Sequence, residues 1–203
     1  SLFLLYVSQM AGAGQLVLHD CALNRGGRRL FSGLSFALEP GDAALVTGPN
    51  GAGKSSLTRM IAGLLPVAEG QLTVNGRLAL SNESLALDSG EPLGDALSFW
   101  TGLDGQGADA VATALDALAI PHLAPVPVRM LSTGQRKRAS LARVLASGAD
   151  IWLLDEPGNG LDKASIPLLE AAMAAHRAAG GIVLAVSHQP LVLPGAQDVR
   201  IGA

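Results

Sequence analysis

Apolar and polar residues alternate along Gln15-Leu16-Val17-Leu18-His19 and again along Gly33-Leu34-Ser35-Phe36-Ala37-Leu38, with Arg25-Gly26-Gly27-Arg28 between the two runs. A period of two interrupted by a glycine turn predicts an antiparallel hairpin. Ala43-Ala44-Leu45-Val46-Thr47 is instead an unbroken apolar run between Pro40-Gly41 and Gly48, the pattern of a buried strand. Leu57, Met60, Ile61, Leu64 and Leu65 then recur at helical spacing, which predicts a helix running until Pro66 stops it. Gln71-Leu72-Thr73-Val74 followed by Asn75-Gly76 reads as a strand entering a tight turn, so the early strands form a small antiparallel sheet.

From there the period turns helical. Residues 89–103 and 109–118 carry Leu and Ala on one face and are separated by a glycine-rich turn at Gly105 to Gly107. Residues 136–146 form a further helix, Ile151-Trp152-Leu153-Leu154-Asp155 a buried strand, 164–178 a helix and 181–187 a strand, with 198–201 closing the sheet's edge. Strands first, then strands and helices in alternation, predict an α/β fold. Its mainly parallel sheet is flanked by an antiparallel β subdomain and interrupted by a helical subdomain at about residues 89–146.

The 203 residues suit one domain spanning 1–203, and no repeat of 20 to 50 residues is visible. The opening Ser1-Leu2-Phe3-Leu4-Leu5-Tyr6-Val7 lacks the basic flank of a signal peptide. Residues 1–14 are therefore expected to be an N-terminal extension, with Met10 a candidate start. Hydrophobic residues make up 49% of the chain and its mean hydropathy is +0.36, yet no run approaches the roughly 18 to 20 apolar residues that cross a bilayer. A net charge of −3 provides no basic footprint, so nucleic acid is not an expected partner. The single Cys21 excludes an internal disulfide and a paired Cys/His metal site, and it suits a reducing compartment.

Gly48-Pro49-Asn50-Gly51-Ala52-Gly53-Lys54-Ser55 changes the picture, because it fits G-x-x-x-x-G-K-[ST] between a predicted strand and a predicted helix. In that pattern successive backbone N–H groups wrap phosphates, Lys54 reaches the terminal ones and the Ser55 hydroxyl takes Mg²⁺. Ser56 lies in the first turn of the following helix, whose positive end faces the same anion. Asp155 ends a buried strand where doubly wound sheets hold their ligands, and is expected to bind Mg²⁺. Glu156 faces the other way, positioned to orient or deprotonate an attacking water. His188 follows another buried strand and can bridge a γ-phosphate and that water. Ser132 caps the helix after Leu131-Ser132-Thr133-Gly134-Gln135, making a second anion site at Ser132, Gly134 and Gln135. Two copies meeting head to tail would each sandwich an ATP between Lys54 of one and Ser132/Gly134 of the other.

These residues resemble the nucleotide-binding subunits of ABC transporters. The Walker A motif is at Gly48 to Ser55, the signature at Leu131 to Gln135 and Walker B at Ile151 to Asp155. The likeness implies Glu156 as catalytic base, Asn159-Gly160-Leu161-Asp162 as the D-loop and His188 as the switch histidine. Leu30-Phe31-Ser32-Gly33-Leu34-Ser35-Phe36 and Ser187-His188-Gln189-Pro190-Leu191 are similar to the haem-exporter ATP-binding subunits of cytochrome c maturation. That resemblance implies an ATPase peripheral to the cytoplasmic face of the bacterial inner membrane, paired with integral-membrane subunits of the maturation system. Its hydrolysis would be tied to haem export or to release of a haem-loaded chaperone. Three positions depart from the family pattern. Arg25 stands where an adenine-stacking aromatic is expected, and a guanidinium can stack too. Glu83 or Asn82 is the nearest candidate for the missing Q-loop glutamine, which makes Glu83 a candidate metal contact. Thr133 replaces a glycine of the signature. A transporter for another cargo and a soluble ABC ATPase remain open alternatives.

Overall fold

The structure is a computed structural model that describes residues 14–81 and 87–202. A hairpin of β1 (Gln15–Arg25) and β2 (Arg28–Leu38) leads to β3 (Ala43–Thr47), the phosphate-loop motif and α1 (Lys54–Ile61). The short strands β4 (Glu69–Asn75) and β5 (Leu78–Ser81) follow. Then come the helices α2 (Leu93–Leu103), α3 (Ala108–Ala117) and α4 (Thr133–Ala146), with 3₁₀ turns at Pro121–Leu123 and Val128–Met130. The chain finishes with β6 (Ile151–Asp155), α5 (Ile166–Ala178), β7 (Ile182–Val186) and β8 (Gln197–Arg200).

Two sheets result. An antiparallel one has the order β2-β1-β4, and a parallel one the order β5-β6-β7-β3-β8. The unbroken apolar runs are explained by burial on both faces of the parallel sheet. Trp152, Leu154, Val183 and Ala185 face a core shared with α2 to α5. Ile151, Leu153, Ile182, Leu184 and Val186 face a second core with Leu57, Met60 and Ile61 of α1 and Leu16, Leu18 and Leu23 of the hairpin. Period two thus puts one sheet between two cores, and each fully buried Leu or Ile contributes roughly 1.5–3 kcal/mol. Cys21 is buried in the second core; desolvation pushes its thiol above the ordinary value, and it donates to the Gln71 carbonyl at 3.1 Å.

Two predicted boundaries are corrected. The helix after the phosphate loop stops at Ile61, not at Pro66: Gly63 takes φ 74°, its N–H bonds the Met60 carbonyl and the Leu64 N–H bonds that of Arg59. This glycine-terminated motif leaves Leu64 exposed outside the helix. The helix expected from residue 89 starts at Leu93, because Pro92 is extended (ψ 144°) and bridges Pro127 while the Leu93 and Gly94 N–H groups are taken by Val126 and Ala124. The sequence pattern does not predict strand β5, whose four residues lie parallel to β6 as one edge of the sheet. The remaining elements fall within a few residues of expectation. Among the described residues no helix is long and apolar enough to cross a membrane. The predicted extension at residues 1–14 lies, but for Gly14, outside the described residues, as do the Q-loop candidates Asn82 and Glu83.

Candidate nucleotide site

The carboxyl ends of β3, β6 and β7 are neighbours in the parallel sheet, so the segments following them converge. After β3 the chain turns back on itself through glycines in conformations that other residues avoid. Gly48 has φ 146°, and a Cβ there would lie 2.2 Å from the Ile201 carbonyl oxygen. Gly53, at φ 104°, starts α1 with its would-be Cβ 3.0 Å from Leu30. Only glycine satisfies both demands. Inside the curl, Lys54 is almost wholly buried and donates from Nζ to the Gly48 and Pro49 carbonyls at 2.8 and 3.0 Å. Ala52 is buried under Gly202.

Ser55 Oγ donates to Asp155 Oδ1 at 3.0 Å, linking the start of α1 to the end of β6. A hydroxyl and a carboxylate meeting this way form an oxygen-donor pair that fits Mg²⁺, which takes one or two carboxylates and completes its shell with water and phosphate oxygens. Among the described residues there is no cluster of three His, Cys, Asp or Glu that could hold a metal ion.

Glu156 follows β6 with φ 47°, a left-handed conformation unusual for a residue with a Cβ, held by its N–H on the Val186 carbonyl at 2.9 Å. The turn aims its carboxylate away from Asp155 and towards the segment after β7. There the His188 N–H donates to Glu156 Oε2 at 3.3 Å, and His188 Nε2 lies 3.5 Å from Oε1. A cavity of ≈ 380 Å³ is lined by Arg25, Asn50, Gly51, Gly53, Lys54, Ser55, Ser56, Glu156 and His188, all expected from sequence. Leu30 and Asn159 line it as well. Asn159 belongs to the segment that the sequence reading takes as the D-loop, whereas nothing in the sequence marks Leu30 as a site residue. Asn159 Oδ1 accepts from Gln189 Nε2 at 3.3 Å, joining the segments that follow β6 and β7. Arg25 Nη1 donates to Ser56 Oγ at 3.3 Å.

The signature residues are elsewhere. Ser132 caps α4 in a reciprocal box: its Oγ accepts the Gln135 N–H at 3.3 Å, and Gln135 Oε1 accepts the Ser132 N–H at 2.9 Å. Ser132 and Thr133 are exposed, and neither they nor Gly134 and Gln135 line the cavity around Lys54. Gly134 lies beside the segment after β6, where a Cβ on it would be 3.2 Å from the Gly160 carbonyl. Nearby, the Ser165 hydroxyl and N–H hold the Asp162 carboxyl below the usual range.

Comparison with known proteins accords with this geometry. The family model described as "ABC transporter" matches residues 31–159. A "Cytochrome c biogenesis ATP-binding export protein CcmA" from Sphingopyxis alaskensis is 54% identical over 92% of this chain and 96% of its own. The protein of that name from Zymomonas mobilis is 54% identical over 89% of this chain and 81% of its own. Among solved structures, a Pyrococcus furiosus chain described as an ABC transporter ATP-binding protein superposes with a TM-score of 0.82, covering 92% of this chain and 97% of that one at 22% identity. That last likeness concerns the fold.

Proposed function

The chain belongs to the ABC transporter family, as one of its ATP-binding and ATP-hydrolysing subunits, and from that premise we propose that it serves the maturation of c-type cytochromes by driving haem export or release of a haem-loaded chaperone. The observation that carries the hydrolytic reading is the meeting of Lys54, Ser55, Glu156 and His188 around one cavity, with Asp155 bonded to Ser55 behind it. The cargo reading is supported by relatives of this chain at up to 54% identity, named as cytochrome c biogenesis export proteins.

In this reading the loop N–H groups from Gly48 to Ser56 hold the phosphates of ATP. Lys54 exchanges its two loop carbonyls for the terminal phosphate oxygens. Ser55 and Asp155 would hold Mg²⁺, which would supply charge neutralisation for the phosphates. Glu156 accepts a proton from the attacking water. His188, already against both carboxylate oxygens, keeps that carboxylate aimed and contacts the γ-phosphate. The exposed N-terminal end of α4, with Ser132, Gly134 and Gln135, meets the γ-phosphate bound by a second copy. Each triphosphate then gains bonds from two subunits that a diphosphate lacks, so hydrolysis opens the pair.

The proposed setting is peripheral, at the cytoplasmic face of the bacterial inner membrane, against integral-membrane subunits of the maturation system. Helix α2 offers them a cavity of ≈ 460 Å³ bordered by Asp88, Glu91, Asp95, Phe99 and Trp100. Phe99 is 63% exposed, whereas Trp100 is half-buried against the helical core with the Arg143 guanidinium over its ring, so Phe99 is the better grip. Affinity capture of the tagged chain from detergent-solubilised membranes should recover integral-membrane subunits together with haem proteins. Recovery of membrane subunits with a different cargo protein and no haem would overturn the cargo reading and leave the ATPase.

A further inference from the structure

The cavity around Lys54 has two ends. On α1, Ser55 and Ser56 are adjacent, so their side chains leave the helix roughly 100° apart. Ser55 turns to Asp155 and hence to the end that also holds Glu156, His188 and Asn159. Ser56 turns the other way, to the tip of the hairpin, where it meets Arg25; Leu30 lines the cavity as well. A triphosphate whose terminal phosphate lies at the Asp155 end has its α-phosphate and nucleoside at the Arg25 end.

Arg25 is fixed there by the backbone. It pairs with Arg28 across Gly26 and Gly27, whose φ values of 57° and 76° are the two positive angles that a type I′ turn demands. One donor of its N–H edge is turned to the first turn of α1, with Nη1 3.3 Å from Ser56 Oγ. A base stacked on a guanidinium needs the open face; an anion needs the edge. The other residue at this end, Leu30, offers only apolar contact, which cannot distinguish one base edge from another.

The geometry points to Arg25 as a clamp on the α-phosphate, a second cation at the opposite end of the phosphate chain from Lys54, and to a site that reads the triphosphate and hardly reads the base. This rests on the nucleotide site proposed above and changes its specificity: GTP and UTP are ligands of the same class as ATP. The planar fork of the guanidinium suits two phosphate oxygens at once, whereas lysine can only partly replace it.

The test is competition of ATP, GTP and UTP, each with Mg²⁺, against a fluorescent ATP analogue on the full chain. The wild type is compared with Arg25→Gln, Arg25→Lys and Arg25→Tyr, after thermal melting has shown each to be folded. The wild type should bind the three nucleotides with similar affinity. Arg25→Gln should weaken all three together by about tenfold or more, the loss of one charge-assisted hydrogen bond. Arg25→Lys should recover part of that loss, and raised salt should shrink the difference between wild type and Arg25→Gln. Arg25→Tyr, which replaces the cation by a ring, should favour ATP over UTP by roughly tenfold. A wild type that already prefers ATP to that extent and loses the preference in Arg25→Gln would show stacking instead. Equal binding by wild type and Arg25→Gln would leave Arg25 without a role. Either result overturns the clamp while the nucleotide site stands. If Lys54→Ala also binds like the wild type, the site itself fails and the clamp with it.

Discussion

Lys54 and Glu156 do different work although both line one cavity, and their variants should differ accordingly. Lys54→Ala removes the buried ammonium that answers the terminal phosphates, so nucleotide affinity itself should fall, as read by titration with a fluorescent ATP analogue. Glu156→Gln keeps the shape and the His188 N–H contact but removes the proton acceptor; nucleotide should still bind while turnover drops by orders of magnitude. Unchanged ATPase activity in Glu156→Gln would remove that residue from its role. His176 belongs to stability instead. Its ring stacks on Trp152 with centroids 3.9 Å apart and presses on Gly181 where a Cβ would be, and desolvation holds its imidazole below the ordinary value of about 6.5. The unfolded chain therefore takes up this proton first as the pH falls. The contribution is complete above the unfolded value and is lost as the pH drops through it towards the folded one. Thermal melting between about pH 7.5 and 5.5 should show a decline that is smaller in His176→Phe, which keeps the stack and cannot titrate. Site residues with chemical motifs were legible in the sequence because glycine spacing, a lysine and a strand-ending acid leave few alternatives. Leu30 and the Trp152–His176 stack were not, since only the folded backbone brings them to their partners.

At the scale of elements, α4 depends on its first turn. The Ser132–Gln135 box satisfies two backbone donors that would otherwise lack intrahelical partners. Ser132→Ala should cost about 1 kcal/mol of stability, measured by denaturant unfolding. In the proposed dimer the same change should also depress ATPase activity well beyond what that small loss explains; full activity would confine Ser132 to capping. Strands β3, β6 and β7 were read almost to the residue because burial on both faces leaves an unbroken apolar run, whereas the parallel edge strand β5 was not. Helix ends were read less well. Leu64 and Leu65 continue the helical period past Ile61 although Gly63 has already reversed the chain, and Pro92 consumes the first residues of the helix expected from 89. In both places local backbone chemistry prevailed over periodicity, and the signal that could have shown it was a single glycine or proline.

For the molecule as a whole, the parallel sheet separates two cores that share no helix: α1 and the hairpin on one face, α2 to α5 on the other. The Lys54 cavity opens beside the core formed with α1 and the hairpin, whereas Ser132 stands at the start of a helix packed into the other. The two anion sites of the proposed mechanism therefore do not meet within one subunit, which is why a head-to-tail pair is proposed. Sedimentation of Glu156→Gln with saturating Mg·ATP, membrane subunits included, should reveal dimers that disperse when ADP replaces ATP. A species that stays monomeric with ATP would end the clasping mechanism. The fold class was legible from the order of strand and helix patterns, but the meeting of distant segments was not: no periodicity relates Ile201 to Gly48.

That last contact has a consequence for biogenesis. The Ile201 N–H bonds the Thr47 carbonyl, and the Ile201 oxygen occupies the room that a side chain at position 48 would need. The phosphate loop is translated well before β8, the strand that forms part of its wall. Until β8 has been made and slotted beside β3, a nascent chain has no finished seat for a triphosphate, so competence for nucleotide follows the synthesis of β8 rather than that of the loop itself.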